Sequence, residues 1–191
     1  FFSNNNFKPV WTNRASLNTA GDSLMKMLDD IERYGLYTEL YPIRSIKRNI
    51  TNFYHQPDST ISVTRIYEVN ILLTDVYFQL AVQLNKGIQD EKTFAVQLKQ
   101  VTKDSAYVQL LNEGLASNRI IKSLESQEPH SESYHQLKFF LSKFLDRKNY
   151  LENNSTGPLT EDTSFMINGS FAGDTIAGIY NSFDSLKQKI E

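Results

Sequence analysis

Cysteine is absent from this 191-residue chain. That excludes a disulfide framework, a thiolate metal site and a cysteine nucleophile on these residues. Long apolar runs are missing as well. Each is broken within a few residues by Asp, Asn, Gln or Lys, so none approaches the roughly 20 apolar residues of a membrane-spanning helix. Neither sign of charge prevails: 20 Lys and Arg against 22 Asp and Glu leave a net charge of -2. This balance gives no electrostatic reason to expect nucleic acid or an anionic membrane as partner. Histidine is scarce, with 3 in the chain. His130 and His135 stand five apart, which does not place them on one helix face. No acidic cluster completes a site with them, so neither a metal nor a cofactor is expected. His55 lies in a Pro-containing loop and reads as a surface residue. No G-x-S-x-G, P-loop or dinucleotide fingerprint occurs, and strand signals are few.

What is present is helical periodicity. "FKPVW" reads as a short extended entry, because Pro9 disfavours helix at Lys8. Thr12, Asn13 and Ser16 are candidate N-caps for a first helix. Its apolar positions run from Leu17 through Ala20, Leu24, Met27, Leu28 and Ile31 to Tyr34, and Gly35 supplies the stop. A second helix follows Tyr41-Pro42, with Ile43, Ile46, Ile50 and Phe53 on one stripe and Arg44, Lys47 and Arg48 toward solvent. "HQPDST" is a loop. The third and longest helix is expected from near Ile61 to Gly87. Its apolar residues occupy more than one face, which marks it as the central helix of a bundle.

Shorter helices come next. "DEKTFAVQLKQV" carries acids at its start, as the helix dipole favours, and "SAYVQLLNEGLA" and "NRIIKSLES" follow. After Pro129, "SESYHQLKFFLSKFL" puts Tyr134, Leu137, Phe140, Leu141 and Phe144 on one stripe. Aromatics at this spacing, such as Phe139, Phe140 and Phe144, are expected in a core. The polar stretch "ENNSTGPLTEDTS" reads as a linker, and "INGSFAGDTIAGIYNSFDSLKQKIE" as a turn and a terminal helix capped near Asp174. The expected fold class is all-α, a multi-helix bundle with an extended N-terminal entry and a C-terminal turn-helix appendage. A helical domain spans 1–150, and linker plus terminal helix span 151–191.

Thr74 and Asp75 interrupt the apolar run of the third helix. A Thr hydroxyl can bond back to the carbonyl one turn earlier, and an Asp facing a neighbouring helix end can cap its free N–H groups. The two are therefore expected to be a structural polar pair. Asp29, Asp30 and Glu32 read as a solvated acidic face. Of the 10 Tyr and 12 Phe, most are expected in the core. Trp11 and Tyr41, close to the extended entry, are candidates for an interaction surface. Sequons at Asn49, Asn153, Asn154 and Asn168 matter only in a host that glycosylates exported proteins.

In order along the chain, "FFSNNNFKPVW", Gly35-Leu36 with Tyr41, "EVNILLTDVYFQLAVQLNKGI" and "PHSESYHQLKFFLSKFL" resemble the helical scaffold domain amino-terminal to the catalytic domain in large bacterial murein L,D-transpeptidases. The resemblance covers about residues 1–146. It implies a location in the periplasm or envelope of a Gram-negative bacterium and, as partner, the catalytic domain of the same parent chain. The family's chemistry uses a Ser/Thr-His-Gly-Cys motif with an upstream histidine, and this chain holds neither motif nor cysteine. The resemblance therefore implies a non-catalytic portion, and the start without Met fits a fragment or processed product. A second resemblance lies in the tail. Gly169-Ser170-Phe171-Ala172-Gly173-Asp174-Thr175 is similar to the G-x-F-G-x-x-T turn of peptidoglycan-binding modules, with Ile179 in place and Phe183 one residue late. It implies a partial module, with Phe171 a further candidate contact and peptidoglycan a further expected partner. The alternative for the tail is a capped helix docking on the bundle. The alternative for the whole chain is a stand-alone helical adaptor or peptidoglycan-binding module without an enzyme.

Overall fold

The computed structural model describes residues 1, 6, 8–13, 16–54, 63–88, 92, 93, 96 and 105–154. Among them there are six α-helices and no strand: α1 (Thr19–Asp29), α2 (Ile43–Tyr54), α3 (Val63–Lys86), α4 (Ser105–Ser117), α5 (Ile120–Glu125) and α6 (Glu132–Asn154). The all-α class read from the sequence is the class of the protein. "HQPDST", most of "DEKTFAVQLKQV" and everything after Asn154 lie outside the described residues. The chain divides into two compact units, 1–149 and 150–191. The first holds α1 to α5 and most of α6.

α1 begins two residues later than the apolar pattern suggests. Its cap is Asn18, whose side chain accepts from the Gly21 N–H, rather than Thr12, Asn13 or Ser16. Those three belong instead to a tight loop in which Thr12 bridges Leu17 and the Asn13 N–H donates to the Ser16 carbonyl. The helix buries Ala20, Leu24, Met27 and Leu28, the i, i+4, i+7, i+8 face of an amphipathic helix. It gives way to a 3₁₀ turn over Ile31–Tyr34, and Gly35 at φ 71° ends the segment in the left-handed region that a side chain would resist.

α3 is the central helix. It packs against α1, α2, α4 and α5. Twelve of its residues are buried, among them Val69, Leu73, Val76, Tyr77, Leu80 and Leu84. Fully burying each large aliphatic side chain contributes about 1.5–3 kcal/mol, so α3 organises the core. Ile46 and Ile50 of α2 join it as their spacing predicts. A Lys47–Asp29 ion pair at 2.6 Å ties α2 to α1 from outside.

α6 departs from expectation. Leu137, Phe139, Phe140 and Phe144 are exposed, at 64%, 58%, 55% and 66%, so of the expected stripe only Tyr134 and Leu141 face the domain. The docked face carries Tyr134, Lys138, Leu141, Ser142 and Leu145, of which only Leu145 is buried outright. Polar pins hold this face: Lys138 Nζ reaches Glu128 at 2.6 Å, and Arg33 reaches Ser142 and Asp146 at 2.5 Å each. The docked face is the less apolar part of the helix, and ion pairs to Arg33 and Glu128 tie it to the domain body.

Candidate functional site

Two asparagines grip the extended entry from opposite sides. Asn70, fully buried on α3, accepts with one side-chain oxygen from the N–H groups of both Val10 and Trp11, each at 2.8 Å. Its amide donates to Thr12 Oγ1 at 2.8 Å and to the Ile66 carbonyl at 2.7 Å. On the other side, Asn18 donates from its amide to the Val10 carbonyl at 2.8 Å and from its backbone N–H to the Trp11 carbonyl at 3.0 Å. The backbone N–H and C=O groups of Val10 and Trp11 are thus all paired. Buried backbone polar groups need partners, and here two asparagines, through three side-chain bonds and one backbone bond, supply what neighbouring strands would supply in a sheet.

Trp11 sits at the centre of this clamp with 0% exposure. Its indole N–H donates to Thr74 Oγ1 at 2.8 Å, and that hydroxyl donates in turn to the Asn70 carbonyl at 2.8 Å. The ring lies 6.1 Å from that of Tyr77, tilted by 41°. Thr74 therefore has the backbonding role its position suggests, plus a partner from the far end of the domain.

Asp75 does not share that role. It reaches solvent on one side only, makes no hydrogen bond or ion pair among the described residues and so caps no helix there. Partial burial holds its carboxyl above the usual range. Trp11 and Tyr41 do not form an interaction surface either, because both are interior. Tyr41 is 6% exposed, and its hydroxyl donates to Gln83 Oε1 on α3. An amphipathic ring with a satisfied polar tip packs as readily inside as at an interface. Phe171 lies outside the described residues.

A polar seam continues from the clamp through Tyr77, which shares the Asn70 and Thr74 face of α3 and whose ring lies beside Trp11. Tyr77 OH and Ser123 Oγ are 2.8 Å apart, and burial pushes the Tyr77 phenol up to about 12. Tyr34 OH donates to Glu125 at 3.1 Å, and Lys138 Nζ stands 4.1 Å above the Tyr34 ring. Glu128, 7% exposed, receives that lysine. Burial and the nearby Glu128 charge raise the Tyr134 phenol to about 12.

The seam is built of pairs that join helices to one another. None of these groups converges on an open cleft with a nucleophile beside a base, the arrangement that nucleophilic catalysis needs. No group of three or more His, Asp or Glu able to hold a metal occurs among the described residues, and no helix among them is long and apolar enough to cross a membrane. Asn70 is the hub of the clamp that sequence reading missed. The signal was there: it precedes Thr74 by four residues, one helical turn, in the same apolar run.

No curated protein and no solved structure matches the chain. Over residues 1–141, however, it matches the family model of the Scaffold domain. That span takes in the entry, the clamp, the central helix and the start of α6, and on it the chain belongs to the Scaffold domain family.

Proposed function

We propose that this chain is the non-catalytic scaffold of a peptidoglycan cross-linking L,D-transpeptidase, and that it positions a separate catalytic domain of the same parent protein in the bacterial cell envelope. Membership of the Scaffold domain family over residues 1–141 is the observation that carries this reading. The use made of the polar side chains supports it. Asn70, Thr74, Tyr41 and Tyr77 direct their hydrogen-bonding groups to other parts of the fold, as a body that holds its shape requires. The absence of cysteine supports it too, since the transpeptidase nucleophile would then belong to another domain. Peptidoglycan is a second partner in this reading, and the periplasm its place.

The test has two arms. The parent reading frame should carry a histidine and a Ser/Thr-His-Gly-Cys block beyond residue 191. Deleting the scaffold from that parent protein should then lower cross-link formation on purified sacculi while the isolated catalytic domain stays folded. A frame without that block, or full cross-linking without the scaffold, would sink the proposal.

A further inference from the structure

The entry is held as a groove holds a peptide. Its distant partners stand on α3: Asn70 takes the N–H groups of Val10 and Trp11, Thr74 takes the indole N–H, and Tyr77 lies beside the ring. Asn70 also donates to Thr12. The other wall is α1 with its cap, where Asn18 pairs the carbonyls of Val10 and Trp11. Gly21 belongs to that wall, since a Cβ there would stand 2.4 Å from the Trp11 carbonyl oxygen. Pairing of the main chain combined with a pocket for one side chain is a way in which extended peptides are recognised.

We infer that this groove also takes the entry of a second copy of the chain, so that two copies exchange residues 8–12 about a two-fold axis. Few contacts tie the entry to its own copy alone. They are the bond from the Asn13 N–H to the Ser16 carbonyl at 2.8 Å and the bridge between Thr12 and Leu17. Opening that turn gives up those two contacts. The clamp is restored when the partner subunit's Trp11 enters, because Asn18, Asn70, Thr74 and Tyr77 all belong to the receiving body. An exchange of this kind closes on itself and leaves neither groove unfilled. The chain's own entry competes at an effective concentration of about 1 mM. The monomer therefore prevails in dilute solution, and the exchanged dimer arises among copies that fold together at high concentration.

Trp11 is the only tryptophan, so a Trp11→Phe or Trp11→Ala chain is dark, and an added peptide of residues 6–13, NFKPVWTN, carries the signal. Either variant should capture this probe with a saturable blue shift of its emission. The unmodified chain at micromolar concentration should not, its own groove being filled. Adding Thr74→Val to the variant should weaken capture by about 10-fold. The unmodified chain refolded at about 1 mM should yield a dimer in sedimentation velocity, and Trp11→Ala should not. Where neither variant folds, the refolded unmodified chain decides alone. Monomer only from that refolding would overturn the inference. So would a folded variant that leaves the probe's emission unchanged, capture indifferent to Thr74→Val, or as much dimer from Trp11→Ala as from the unmodified chain.

Discussion

Trp11 donates its indole N–H to Thr74 Oγ1 at 2.8 Å across 63 residues of sequence. Thr74→Val keeps the shape of the side chain and removes the acceptor. A buried donor is then orphaned, which costs about 1–3 kcal/mol. Thr74→Ser keeps the oxygen and should cost less. Trp11 is the only tryptophan, so its fluorescence during urea unfolding reads both variants. The expected result is a lower midpoint for Val than for Ser at unchanged denaturant slope.

Asn70 makes more contacts than any other polar side chain in the clamp, with two acceptances and two donations. Asn70→Leu fills similar volume but strands the N–H groups of Val10 and Trp11. A loss of about 3 kcal/mol or more is expected. Hydrogen exchange should show the entry released while α3 keeps its protection. Equal loss of protection along α3 would mean that Asn70 supports the central helix and not the entry.

How much of this was legible in the sequence depends on the kind of interaction. The long run of α3 and the stripe of α1 follow from apolar periodicity, because burial acts on whole faces. Asn18 as the cap of α1 was hidden by Thr12, Asn13 and Ser16, equally good cap residues placed just upstream. The burial of Trp11 and Tyr41 was hidden because it depends on partners at Thr74 and Gln83, far along the chain. The docked face of α6 is tied down by Arg33 and Glu128, two charges outside the helix. With apolar residues on both sides, its own pattern left the choice open.

Gly21 is a position of close approach. A Cβ there would stand 2.4 Å from the Trp11 carbonyl oxygen and 3.1 Å from Leu17 Cδ2. Alanine ordinarily gains about 0.5–1 kcal/mol over glycine inside a helix. Here the backbone clash outweighs that gain, and Gly21→Ala should be destabilising by about 1–3 kcal/mol. A calorimetric scan that showed a raised melting temperature would contradict the close packing of α1 on the entry.

The two pins under α6 should differ in strength. The Arg33–Asp146 pair is largely open to water, with side chains 32% and 52% exposed, and exposed pairs contribute about 0–1 kcal/mol. Glu128 is 7% exposed, so Lys138→Met leaves a buried carboxylate without its cation. Lys138→Met should therefore be more damaging than Arg33→Met, by roughly 1–3 kcal/mol. Thermal melts of the two variants side by side settle the order, and equal effects would show that water reaches Glu128.

Four tyrosines set an alkaline limit. Burial raises Tyr34, Tyr41, Tyr77 and Tyr134 above the ordinary 10.0, the last two to about 12. Between these values the folded protein keeps phenol protons that the unfolded chain has lost. The stabilisation is complete below about pH 10 and disappears as pH climbs through about 12. Tyrosinate absorbance and helical circular dichroism should change together over that window. Gradual ionisation with the helices intact would contradict the burial.

The clamp also has a consequence for how the chain is made. Val10 and Trp11 meet Asn70 and Thr74 only after some sixty further residues have been joined. A ribosome releases the N-terminal segment long before α3, so the entry waits without its partners while α1 and α2 emerge. Contacts of such separation form late and slow folding. The entry would then be among the last segments to settle, and α3 would serve as the template on which it is finally fastened.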